Sequence, residues 1–159
     1  MVTGNTRRAC RKRNVGRNRN RCAHRSSAPK TGELVMSNTI ENFNCNFMPG
    51  GDAPVDVIEK VEGQTLDSPV EVKVVMKSNS MLMLSITRPK GMRDPIHQHD
   101  DHETSCHLVS GKLKLWIDGE EAIANPGDTW FHPKGAPHWS EALEESVQVE
   151  VKSPPVKTW

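Results

Sequence analysis

The chain has 159 residues and a formal net charge of +1. That sum joins two unlike parts: residues 1–32 hold ten of the 21 Lys and Arg and no Asp or Glu, while the other 127 residues carry eleven cations against twenty carboxylates. No run of eighteen apolar residues is present, which excludes a membrane-spanning helix, and the absence of Tyr excludes a tyrosine base or nucleophile.

The first segment, 1–35, reads as a basic arm. Its stretch RRACRKRNVGRNRNRCAHR has no hydrophobic period and cannot pack a core, so disorder is expected. Three readings compete for it. It is a polyanion-binding tail, a transit-like leader, or sequence upstream of a natural start at Met36. Nucleic-acid binding is not expected, because no aromatics interleave with the cations. No apolar stretch near the N-terminus suggests a secretory signal. The four cysteines fit neither a zinc-finger nor a CxxC pattern. Reduced thiols and a cytoplasmic location are therefore expected.

Residues 36–159 are expected to form one domain, with an all-β texture from residue 55 onward. Candidate strands are 55–61, 69–77, 80–88, 94–99, 104–110, 112–118, 121–125, 128–132 and 146–152, several alternating at period two. Turn signals separate them, among them Pro89-Lys90-Gly91, Ser110-Gly111, Asp118-Gly119 and Asn125-Pro126-Gly127. Short strands with closely spaced turns predict a sandwich or barrel. Trp116, Trp130 and Trp139 are expected to serve packing, and His107 and His132 to lie on strand surfaces.

Six of the seven histidines fall between residues 97 and 138. His97-Gln98-His99 is an i, i+2 pair, which in an extended segment points two imidazoles to one face. His138 follows the turn Pro133-Lys134-Gly135. Arg93 precedes His97 by four residues, and parity would put it on the same face. Cys106 shares parity with Thr104 and is expected to be a small buried thiol.

These residues resemble the two motifs of the cupin superfamily. Gly91, His97, His99, Glu103 and Gly111 answer to the first; Gly127, Pro133, Gly135 and His138 answer to the second, fifteen residues downstream. The resemblance covers residues 80–152 and implies a cupin-type double-stranded β-helix, a jelly-roll barrel that commonly pairs as a homodimer. It also implies one divalent transition metal (Fe, Mn, Ni, Zn or Cu) held by His97, His99, Glu103 and His138. The chain departs from the pattern in two places. Ala142 stands where the family has Asn. Counted back from Gly111, the acidic ligand position falls on Thr104 rather than Glu103, so Glu103 is the first candidate and His102 and Thr104 remain alternatives.

The ending GDTWFHPKGAPHWSEALEESVQVEVKSPP is similar to small cupins of the pectin-degradation type. That family linearises 4,5-unsaturated uronates at a metal held by His-x-His, Gln and a distant His. Its Gln falls on Thr104, and its Asp, aromatic and Arg near the last strand fall on Glu150, Lys152 and Val156. The resemblance implies a metal-dependent isomerase or lyase for a small sugar acid or related carboxylate, with Glu150 and Lys152 as catalytic or anion-binding candidates; strand parity adds Arg93 as a further anion binder. A dioxygenase and a non-catalytic small-molecule-binding barrel are the competing readings.

Overall fold

The computed structural model describes residues 46–159. The expectations for the basic arm, for Met36 and for Cys10, Cys22 and Cys45 lie outside the described residues. Nine strands follow in chain order: β1 (Val55–Val61), β2 (Gln64–Lys77), β3 (Leu82–Arg88), β4 (Glu103–Ser110), β5 (Leu113–Ile117), β6 (Glu120–Ala124), β7 (Thr129–His132), β8 (His138–Ala142) and β9 (Ser146–Ser153). They form a six-stranded sheet, β1-β2-β3-β9-β4-β7, and a three-stranded sheet, β6-β5-β8, antiparallel throughout. This is the all-β, cupin-type barrel the motifs imply. No helix among the described residues is long and apolar enough to cross a membrane.

Alternation makes the interior. Leu82, Leu84 and Ile86 of β3 point inward and join Val70, Val72 and Val74 of β2 in one apolar cluster. A second cluster gathers Leu108, Leu113, Leu115, Ala124 and Ala142, with Trp130 against it. β9 differs. Its buried positions are Ser146, Gln148, Glu150 and Lys152, while Val147, Val149 and Val151 face outward. A polar stripe inside a barrel costs free energy unless it is paired.

The structure differs from the sequence expectation in three strands. β2 starts at Gln64, ahead of Asp67-Ser68-Pro69, whose turn chemistry hides its first half. Residues 94–99 form no strand; the chain from Arg93 on holds to the barrel through single bridges, Arg93 to Glu141 and His97 to His138. β8 was not expected, because its short run follows directly on a Pro- and Gly-rich turn. The Asp118-Gly119 hairpin is present, with φ of 48° and 94°.

Gly111 ends β4 at a φ of 83°, and a Cβ there would collide with the Glu145 carbonyl oxygen and with Ser146. Both a left-handed backbone and a filled space therefore oppose any side chain. Gly111→Ala is expected to destabilise the domain by roughly 2–4 kcal/mol; urea denaturation with unchanged slope would measure it, and a loss within about 0.5 kcal/mol would contradict it.

Candidate metal centre and cavity

His97, His99 and His138 converge, with one ligand nitrogen from each lying within 4.8 Å of the other two. Their orientation is set from behind. His97 Nδ1–H donates to the Pro95 carbonyl at 2.8 Å, His138 Nδ1–H to the Ala136 carbonyl at 2.9 Å, and His99 Nδ1–H to Glu62 Oε1 at 2.8 Å. Each contact fixes the tautomer and leaves Nε2 with its lone pair. Burial, reinforced by the Lys152 charge, pushes His99 down to about 2. Burial also pushes His138 down to about 4, against the pull of the Ala136 carbonyl. Both rings are neutral at pH 7, as metal ligation requires. Three imidazoles, each oriented from behind, fit a divalent transition metal.

The fourth-ligand candidates separate. Glu103 opens β4 on its exposed face and stands outside the cluster. This corrects the expectation from the His99 spacer. The cause is a parity switch at the Asp100–Asp101 bend, after which His102, Thr104 and Cys106 point inward and Glu103 outward. His102 is fully buried and stacked on His99 with ring centroids 4.3 Å apart. Its Nδ1–H donates to Asp101 Oδ1 at 2.6 Å, and its Nε2 has no partner. Burial lowers its pKa, opposed by Asp101. Thr104 is buried with its hydroxyl unpartnered.

Arg93 is also corrected. Buried positions switch from Met92 and Asp94 to His97 and His99 across Pro95-Ile96. Arg93 therefore faces outward, its guanidinium 4.1 Å from the Trp139 ring centroid, and Asp94 faces inward in its place. Val156 is half-buried and does not line the cavity. Cys106 is buried, and burial together with the Glu150 charge pushes its thiol well up.

Glu150 and Lys152 line the same cavity as the three histidines. Alternation alone would point the β9 valines toward a core, yet Gln148, Glu150 and Lys152 face in. Beside it stands Arg88, the last inward residue of β3. Its Nη1 is 2.8 Å from both carboxylate oxygens of Asp94, and its Nη2 lies 4.0 Å from Glu150 Oε1. Ser140 donates to Asp94 at 2.6 Å, and the Gln148 amide donates to Glu150 at 2.6 Å. Burial alone would lower the Arg88 pKa, but Asp94 and Glu150 outweigh it and hold it above the ordinary value. Burial would likewise raise Asp94, and Arg88 holds it below the usual range. Lys152 is lowered by burial, opposed by Glu150, and its ammonium donates to Thr158 Oγ1 at 2.6 Å.

His132 is buried rather than on the strand surface. It stacks on His138 at 3.8 Å between ring centroids, and burial with the His138 charge pushes it down to about 2. Trp159 closes one side of the cavity and donates its indole N–H to Asp56 at 2.8 Å. Arg88 Nε and Gln148 Oε1 are buried without a protein partner, one a donor and the other an acceptor. Arg88 was readable from strand parity, two residues beyond Ile86. Glu62, Trp159 and Asp94 carried no such signal.

Arg88→Met leaves the buried Asp94 carboxylate without its cation. The expected loss is about 3–5 kcal/mol in urea denaturation, with much of it recovered in Arg88→Met/Asp94→Leu. A single variant as stable as the wild type would contradict the pairing.

Comparison with other proteins agrees with this arrangement. Residues 83–151 match the cupin domain family. The pectin degradation protein KdgF of Dickeya dadantii is 28% identical over 92 residues, covering 57% of this chain and 84% of that protein. The quercetin 2,3-dioxygenase of Bacillus subtilis is 30% identical over 96 residues, covering 57% of this chain and 28% of that protein. Among solved structures, KdgF from a Halomonas species superposes with a TM-score of 0.52 at 26% identity, over 54% of this chain and 80% of that one. An RmlC-like cupin from Shewanella frigidimarina gives 0.59 at 17% identity, over 69% and 90%, a likeness of fold. Residues 83–151 form a cupin domain, and it resembles the pectin-degradation type.

Proposed function

We propose that the protein is a metal-dependent isomerase or lyase acting on a small sugar acid or related carboxylate. One observation carries this reading: the three-histidine cluster opens on the same cavity as Glu150, between the cations Arg88 and Lys152. The similarity to a pectin degradation protein supports it. His97, His99 and His138 would hold the ion, which when bound polarises a carbonyl or hydroxyl oxygen as a Lewis acid. Glu150 moves the proton, its carboxylate aimed by the Gln148 amide. Lys152 anchors the substrate carboxylate, with Thr158 holding the ammonium in place. Arg88 Nε and Gln148 Oε1 suit the mixed acceptors and donors of a hydroxylated acid. The apolar wall of Val70, Val72, Leu84 and Ile86 excludes water around the reacting groups.

The test is to load purified protein with Fe, Mn, Ni, Zn or Cu and offer 4,5-unsaturated uronates. Loss of the ultraviolet absorbance of the conjugated double bond is the expected result. Inertness of the metal-loaded protein across such acids would sink the reading. The similarity to a quercetin dioxygenase favours a second reading, oxygenation at the same ligands, which requires oxygen uptake in step with substrate loss. A homodimer and a cytoplasmic location belong to the proposal by resemblance. Sedimentation at twice the 17.8 kDa chain mass would support the dimer, and a monomer would oppose it.

A further inference from the structure

β1 and β2 meet in a tight turn, Glu62-Gly63, with φ of 47° and 75°. Gly63 occupies the left-handed region without penalty. Glu62 does not: a long, unbranched acid gains nothing locally from that conformation, where Gly, Asn or Asp is usual. The strand behind it is the outer edge of the sheet and mostly exposed, so packing of the turn does not explain the choice. The side chain does. Glu62 Oε1 lies 2.8 Å from His99 Nδ1, across 37 residues of sequence.

Two further contacts pin the turn to the ligand segment. The Gln64 amide donates to the Ile96 carbonyl at 3.0 Å, one residue before His97. The Glu62 backbone N–H donates to the Thr158 carbonyl at 3.0 Å, and Thr158 is the residue that holds Lys152. Of the three clustered histidines, His97 and His138 are oriented by carbonyls of their own loops, each two residues away. His99 alone is oriented by a carboxylate from a distant hairpin. A strained backbone kept at such a contact is the mark of a functional constraint.

We propose that Glu62 is a positioning residue of the metal centre: its carboxylate holds His99 in the ligating tautomer and direction, and the β1–β2 turn accepts backbone strain to place it. The inference rests on the reading of His97, His99 and His138 as metal ligands. Outer carboxylates of this kind set ligand orientation and support affinity. Glu62 also joins the hairpin, the metal-binding segment and the residues beside Lys152 into one unit.

The experiment compares wild type, Glu62→Asn and Glu62→Gln by competitive titration with Zn(II) alone, by the visible spectrum of the Co(II)-loaded protein, and by apo-protein melting. Glu62→Asn suits the left-handed backbone but cannot reach His99. Its zinc affinity is expected to fall about 10–100-fold, its Co(II) spectrum to change, and its apo melting temperature to stay level or rise. Glu62→Gln keeps the length and one acceptor oxygen and is expected to lie between the two in affinity. Wild-type zinc affinity in Glu62→Asn would overturn the inference, as would a fall in apo stability that matched the fall in affinity, which marks a structural role. A wild-type protein that binds no zinc, cobalt or other transition metal would bring down the metal reading first, and this inference with it.

Discussion

His97→Ala and His138→Ala proteins are expected to lose stable metal binding while keeping the barrel. Each variant removes one of three converging nitrogens. Among the described residues, no other side chain stands ready to replace it. Glu103 faces solvent, Thr104 offers a short hydroxyl, and His102 Nε2 lies outside the convergent set. The affinity loss should therefore exceed the roughly 10–100-fold typical of outer residues. Melting gives an independent readout. A metal present at about 100 times its Kd stabilises the native state by about 2.7 kcal/mol. For a domain of this size that is a rise on the order of 10 °C. The wild type should show the rise with added metal and lose it with a chelator. Both variants should melt at one temperature with or without metal. Retention of the metal-dependent rise in His97→Ala would remove that residue from the site.

The contrast between what the chain discloses and what it conceals follows physical lines. The histidines, the Pro133 turn and the glycines were legible because local spacing encodes them. His97 and His99 share a face for the reason any i, i+2 pair in extended chain does, even though residues 94–99 form no strand. Glu103 and Arg93 were misplaced for one common reason. Period-two parity holds only while the chain stays regular, and it resets at Pro95-Ile96 and again at Asp100-Asp101. β9 misled in another way. Its valines alternate as a core face would, yet they cover the outside, and the inward face is Gln148, Glu150 and Lys152. Only the family resemblance could reverse that reading, because the free energy of burying such a stripe is offset by partners outside β9. Arg88, which meets Glu150, lies far back in the sequence on β3, and Thr158, which meets Lys152, follows six residues on, past the end of β9. Glu62 lies further still from any local signal. Nothing about an acid in a Glu-Gly turn says that it will meet a histidine 37 residues on.

If Glu150 moves the proton as proposed, Glu150→Gln should slow turnover steeply while leaving metal affinity and the fold unchanged. The amide keeps the volume and can still meet the Gln148 side chain, and Asp94 remains to pair Arg88. What it removes is the capacity to accept and return a proton, which is worth about 10²–10⁴-fold in rate. Lys152 gives the complementary case. Its ammonium is buried, with Glu150 two residues along the same inward face and Thr158 as its hydrogen-bond partner. If Lys152 anchors a substrate carboxylate as proposed, the loss in Lys152→Met should fall on KM more than on kcat. The two variants must therefore separate: one keeps substrate affinity and loses rate, the other keeps rate and loses affinity. If both lowered kcat alike, Lys152 would belong to the proton-transfer machinery rather than to binding. If Glu150→Gln turned over at the wild-type rate, the proton would have to move through another cavity group, and His132, which lines the cavity stacked on His138, would be the next residue to test.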